Sequence, residues 1–217
     1  MESTSLFGER IAVHYEQWYA TGKGAYFDEV EKRMLRTALS EVKNGSLLEV
    51  GCGTGHFTRF FAKLGFDAVG IDISAPMLER ARGLGSSADY IKADAHCLPF
   101  VAGCFDVVAF VTTVEFLAEP LRAIEEALRV ASKQVIVGFL NRHSLTAVRR
   151  RIRGLFKKDL FSAARFYRAG ELTRLMKAAG LNSGTRLEFL KPQASWLNIG
   201  RLRVGAFAVA GARLDDA

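Results

Sequence analysis

Cysteine is scarce here: three in 217 residues, at Cys52, Cys97 and Cys104. The number is odd and the positions follow neither CxxC nor any zinc-ligand spacing, which argues against a disulfide framework and against a structural metal site. Small buried thiols in a reducing cytosol are the expectation, with no metal. Long apolar runs are missing too, since nothing approaches the ~18 uninterrupted apolar residues that a spanning helix requires. The first twenty residues, MESTSLFGERIAVHYEQWYA, have no basic segment followed by an apolar one, so an unexported, cytoplasmic protein is expected. There is no internal repeat and no low-complexity linker.

Acid is what one region lacks. The formal net charge is +7, and much of the excess lies in Arg142, Arg149, Arg150, Arg151, Arg153, Lys157, Lys158, Arg165 and Arg168, among which stands a single acid, Asp159.

What is present is the material of one globular domain over 1–217, with 49% hydrophobic and 24% charged residues. Short β-like runs alternate with longer helix-like ones, the pattern of βαβ units and a parallel sheet. Helical spacing covers 11–19 and 26–42. Strands are expected at 46–50, 68–71, 89–93, 105–111 and 134–140, with helices at 56–64, after Ser74, and at 121–130. Beyond Asn141 the alternation lapses. A helix over 144–156 has Leu145, Val148, Ile152 and Leu155 on one face and arginines on the other. Another spans 170–179 and is stopped by Gly180. Strand-like runs at 185–190 and 203–210, joined by a short connection, would close the sheet with an antiparallel pair.

The chemistry concentrates in LLEVGCGTGHFT, residues 47–58. A glycine-rich turn between a strand and a helix lets backbone approach a ligand closely. A P-loop would place Lys and Ser/Thr after the last glycine, where His56 and Phe57 stand; a dinucleotide fingerprint would read GxGxxG, whereas this loop reads GxGxG. Asp72, at the end of the second strand, can accept hydrogen bonds from both hydroxyls of a ribose. Glu49 would repel a phosphate and tolerate a cation. The combination suits a nucleoside carrying an ammonium group and a positive sulfur.

The chain resembles the class I S-adenosylmethionine-dependent methyltransferases, in the broad small-molecule group that includes the ubiquinone and menaquinone biosynthesis enzymes. The resemblance rests on five ordered blocks: the glycine loop, VGIDIS at 69–74, ADAHCLPF at 93–100, FDVVAFVTTVEFL at 105–117 and AIEEALRVASKQVIVGFLN at 123–141. It implies a Rossmann-like sheet of seven strands, mainly parallel with an antiparallel last strand, helices on both faces, and a helical N-terminal lid over 1–45. It implies S-adenosylmethionine as cofactor. Gly51, Gly53 and Gly55 would approach its methionyl part, Glu49 its amino group and Asp72 its ribose. Ile73 and Met77 would flank the adenine, Asp94 and the Ala95 backbone would meet its amino edge, and Val111 and Thr112 would face the methionyl chain and sulfonium.

In-line methyl transfer needs orientation and dryness more than acid–base groups. Candidates for a base are His14, Glu115 and His143, and the sequence singles out none. Relatives often carry Glu-His after the fourth strand where this chain has Glu115-Phe116, which suits an apolar or self-activated acceptor. On the first helix, Tyr15 and Trp18 are either cofactor contacts or core. His96, Cys97 and Cys104 have no regular ligand spacing, and Asp106 is expected to fix backbone at its strand's start. The resemblance makes the basic stretch 142–170 a helical insertion at the acceptor site. Its readings are a solvated face, an anionic substrate, an anionic membrane surface reached by 144–156, or RNA, with nucleic acid the least favoured because no separate binding module is seen. Methyl transfer to a small or lipid-like acceptor is the functional expectation; a non-catalytic S-adenosylmethionine-binding protein and an RNA methyltransferase are the alternatives.

Overall fold

The computed structural model describes residues 8–141, 164–185, 187–189, 193–194, 197–199, 202–204 and 207–214. Two helices lead, α1 (Glu9–Tyr19) and α2 (Gly22–Ala38). Thr21 caps α2, its Oγ1 accepting the Gly24 N–H at 3.0 Å. Then come β1 (Ser46–Val50), α3 (His56–Lys63), β2 (Asp67–Asp72), α4 (Ala75–Gly83), β3 (Asp89–Lys92), β4 (Phe105–Val111), a 3-10 turn (Val114–Phe116), α5 (Pro120–Val130) and β5 (Ala131–Leu140). After the stretch 142–163 follow α6 (Ala169–Ser183), β6 (Leu187–Phe189), β7 (Gln193–Ala194), β8 (Leu197–Ile199), β9 (Leu202–Val204) and β10 (Phe207–Leu214).

The main sheet runs β3-β2-β1-β4-β5-β10-β6, with the two-residue β7 also on β10; β8 and β9 form a separate antiparallel hairpin. β1 to β5 are mutually parallel, while β10 is antiparallel to β5 and to β6. Because the central strands are covered on both faces, they read as continuous apolar runs. The period of two still sorts them. Leu47, Val107, Ala109 and Ile136 pack under α2, α3 and α4, whereas Leu48, Val108, Phe110, Val135 and Val137 pack under α5 and α6. The order reverses between β1 and β4, and a crevice opens at the carboxyl ends of those strands.

The expected seven-strand mixed sheet is present, with β7 added at its edge. Three details differ from expectation. The helix near 170–179 does not stop at Gly180. It runs to Ser183, and Gly184, at φ 70°, supplies the left-handed end. Gly180 is there for closeness, since a Cβ would lie 2.6 Å from Leu187 Cδ1. The last two main strands are not joined by a short connection: the final strand starts at Phe207 rather than 203, and β7, β8 and β9 intervene. Its Ala-rich sequence carries little strand signal, and its place comes from fit, because the Phe207 ring fills the space that a side chain at Gly138 would need. Finally, only Cys52 is buried; Cys97 and Cys104 are exposed on the loop between β3 and β4. The predicted helix 144–156 and His143 lie outside the described residues, as does the side chain of His14 on α1. Among the described residues no helix is long and apolar enough to cross a membrane.

Candidate cofactor cleft

The loop after β1 turns on three left-handed glycines, Gly51, Gly53 and Gly55, at φ 73°, 54° and 75°. At Gly51 a Cβ would sit 2.2 Å from Thr113 Cγ2, so the turn after β1 and the turn after β4 touch only because glycine is there. Gly53 has open space on that side. Thr112, at φ 53°, is a left-handed non-glycine residue on the opposite wall, and such strain persists only where the surroundings enforce it.

These turns border a cleft holding about 1100 Å³ of space not taken by atoms, its open mouth included. Glu49, Gly51, Gly53, Asp72, Ile73, Met77, Asp94, Ala95, Val111 and Thr112 all line it. Gly55 does not; its neighbour is the Tyr90 ring. Of the two aromatic candidates on α1, Tyr15 lines the cleft and Trp18 turns away to stack on Phe27, centroids 6.4 Å apart. Of the base candidates, Glu115 is fully buried but outside the lining. Asp106 does fix backbone, accepting the Ser46 N–H at 2.9 Å and pairing with Lys133.

Charge is arranged for a nucleoside with a cationic end. Asp72 accepts the Gly53 N–H on one oxygen and the Ser74 N–H on the other, each at 2.8 Å, so both oxygens are aimed. Burial raises its pKa against the backbone donors Ser74, Gly53 and Ile73. Glu49, 1% exposed, accepts a hydrogen bond from Thr58 Oγ1. Burial pushes its carboxyl up to about 8, with Thr58 opposing and the charge of Asp72 adding. A buried carboxylate without a cation is costly, and an ammonium group at the cleft end of β1 would relieve that cost. The residues present therefore fit S-adenosylmethionine at both polar ends.

Sequence reading left a second cluster unseen. Glu16 Oε1 on α1 accepts from Thr54 Oγ1 at 2.6 Å and from Arg59 at 2.8 Å, and Arg59 also donates to the Thr54 carbonyl at 2.7 Å. Asp28 on α2 pairs with His56 Nε2 at 2.7 Å and with Lys32 at 2.6 Å. The His56 ring stacks on Tyr19, centroids 3.7 Å apart and 5° from parallel. Burial lowers the His56 pKa while Asp28 opposes. Both N-terminal helices are thus tied to the glycine loop. The residue that breaks the dinucleotide fingerprint does so to hold α1 and α2 over it, and no local spacing between Glu16, Asp28 and His56 could have signalled this.

The family described as "Methyltransferase domain" matches residues 48–138. A crystal structure from Thermotoga maritima, titled a SAM-dependent methyltransferase and possible histamine N-methyltransferase, superposes with a TM-score of 0.78 at 28% identity, covering 98% of this chain and 99% of that one. Residues 48–138 are a methyltransferase domain, and the fold is that of the class I S-adenosylmethionine-dependent methyltransferases. The chain is 30% identical over 135 residues to a malonyl-[acyl-carrier protein] O-methyltransferase of Salmonella typhimurium, covering 62% of this chain. It is 33% identical over 99 residues to a demethylmenaquinone methyltransferase of Renibacterium salmoninarum, covering 46% of this chain. The chain spans only 51% and 42% of the lengths of those two proteins. The methyltransferase crevice and the family's nucleoside-bearing cofactor agree with the donor set described above.

Proposed function

We propose that this methyltransferase moves a methyl group to a small-molecule or lipid-like acceptor, with the cofactor in the cleft between the turns after β1 and β4. The observation that carries the reading is the convergence of the left-handed glycine turn, the backbone-aimed Asp72 and the buried Glu49 on one cleft. S-adenosylmethionine supplies an electrophilic methyl on a cationic sulfur, displaced in line by the acceptor. The protein's part is to hold and to dry. Asp72 would take the ribose hydroxyls and Glu49 the ammonium. Ile73 and Met77 would flank the base, Asp94 and Ala95 would meet its amino edge, and Gly51, Gly53, Val111 and Thr112 would shape the path of the methionyl chain. Tyr15 on α1 closes part of the mouth and excludes water, the role that makes 1–45 a lid.

The acceptor class is supported by the names of the malonyl-[acyl-carrier protein] and demethylmenaquinone relatives, and by Phe116 and Leu117 on the cleft wall where a general base could have stood. The arginine-rich stretch 142–170 favours, by its sequence, an acceptor that is anionic or presented at an anionic surface.

Isothermal titration of the pure chain with S-adenosylhomocysteine tests the cofactor half: saturable one-to-one binding is expected, and no binding overturns it. A screen with methyl-labelled cofactor against quinol, phenol, amine, acyl-thioester carrier and RNA pools tests the other half. Label in a small or lipid-like acceptor is expected. Label in RNA alone, or cofactor binding with no label anywhere, would replace this reading with an RNA methyltransferase or a non-catalytic binding protein.

A further inference from the structure

Asp94 reaches the cleft on the loop that follows β3, with 52% of its side chain exposed. A half-exposed carboxylate on a loop samples several rotamers and makes a poor reader of a nucleobase. His96 removes that freedom. Its backbone N–H donates to Asp94 Oδ1 at 2.9 Å, an Asx turn that any residue could complete. Its ring adds a second contact that the backbone does not supply: Nδ1 meets the same Oδ1 at 2.6 Å.

The second ring nitrogen fixes the direction of that bond. Nε2 lies 3.4 Å from the Glu119 N–H and accepts from it, so the proton is on Nδ1 and is donated to Asp94. Glu119 is the residue before α5, and Arg122 of α5 donates to the His96 carbonyl at 3.3 Å. Further along the loop, Leu98 N–H donates to Glu126 Oε2 at 2.8 Å, and Arg129 donates to the carbonyls of Leu98 and Phe100. The loop is therefore referenced to a packed helix, and His96 passes that reference to the carboxylate. With Oδ1 engaged twice, Oδ2 has no hydrogen-bond donor among the described residues and stands as a bare acceptor at the cleft wall.

We propose that His96 is a positioning residue that sets the nucleobase preference of the cleft, holding Asp94 so that Oδ2 selects a purine with a 6-amino group over one with a 6-oxo group. This rests on the cofactor reading above, in which the base lies along Ile73, Met77 and Asp94. An amino group donates to Oδ2. A 6-oxo group places an acceptor against an acceptor, and a carboxylate free to rotate would relieve the conflict by turning away.

The experiment titrates the full chain with S-adenosylhomocysteine and with S-inosylhomocysteine, which carry an amino and an oxo group at position 6 of the base, the oxo form also holding a hydrogen on N1. The wild-type chain is expected to prefer the adenosyl ligand by roughly tenfold or more, as for the loss of one hydrogen bond to a charged group. His96→Leu should reduce the preference to about twofold. His96→Asn, whose amide N–H can stand where Nδ1–H stood, should keep most of it. Asp94→Asn should abolish it, and thermal melts certify that each variant is folded. A His96→Leu ratio equal to wild type overturns the role of His96. If the wild-type chain binds neither ligand, the cofactor reading itself falls and this inference with it, so the two failures are distinguishable.

Discussion

Glu49, in β1, and Glu115, in the turn after the adjacent strand β4, are each 1% exposed. Burial pushes both carboxyls up, to about 8 and about 7. Their surroundings differ. Glu49 takes a hydroxyl donor from Thr58 and lines the cleft. Glu115 accepts the Leu140 N–H at 2.6 Å on one oxygen, while its own carbonyl accepts the Arg165 N–H at 2.8 Å, so it staples the end of β5 to the approach of α6. Its other oxygen and the Tyr167 hydroxyl are buried with no partner among the described residues. Burial and a raised pKa are therefore common to a carboxylate that lines the cleft and one that holds backbone. What distinguishes them is the group each one faces.

The largest expected effect is at Glu49. Glu49→Gln removes the charge that would face the cofactor's ammonium, and S-adenosylhomocysteine affinity should fall roughly tenfold to a hundredfold, the scale of a hydrogen bond to a charged group. Glu115→Gln should leave it within about twofold. Equal losses in the two titrations would break the comparison.

Stability should answer in the opposite order. Glu115→Leu leaves the half-buried Leu140 N–H without its acceptor, and denaturant unfolding should show a loss of about 1–3 kcal/mol. Glu115→Gln keeps an acceptor oxygen in place and should lose clearly less. A leucine variant as stable as wild type would mean that the staple contributes nothing.

The smallest effect is in protons. A carboxyl raised in the folded state is stabilised by being protonated, so the stability that Glu49 and Glu115 contribute is complete below ~4.5, the ordinary glutamate value. It is lost as pH rises through about 7 for Glu115 and about 8 for Glu49. The ammonium group of a bound ligand would reverse the preference at Glu49 only. Binding of S-adenosylhomocysteine at pH 7 should therefore release part of a proton, and affinity should rise with pH toward 8. Calorimetry in buffers of different ionisation enthalpy measures the release. It should vanish in Glu49→Gln and persist in Glu115→Gln; release that persists in both would assign the proton elsewhere.

Much of the site was legible because its signals are local. A glycine turn following an apolar strand, and an acid closing the next strand, are fixed by neighbours in the chain, and Glu49, Gly51, Gly53 and Asp72 line one cleft. Gly55 followed the same pattern and yet turned toward Tyr90. His96 has no metal-ligand spacing to mark it, although its relation to Asp94 is also local. The missing signal was its second partner, the Glu119 N–H, 23 residues away. The second half of the sheet was less legible, since Gly180 is there for its closeness to Leu187 rather than as a helix stop, and the position of β10 depends on the fit of Phe207 against Gly138 rather than on propensity.

The sequence by itself determined the order of β1 to β5 and their helices, the parallel part of the sheet and the glycine turn and acid at the ends of β1 and β2, because hydrophobic period and glycine spacing act over a few residues. Only the tertiary structure decided which buried glutamate faces the cleft, which histidine ties α1 and α2 to the glycine loop, and which one holds Asp94. Those choices are made by hydrogen bonds and stacking between elements far apart in the chain, and they form only once the sheet has brought its carboxyl ends together.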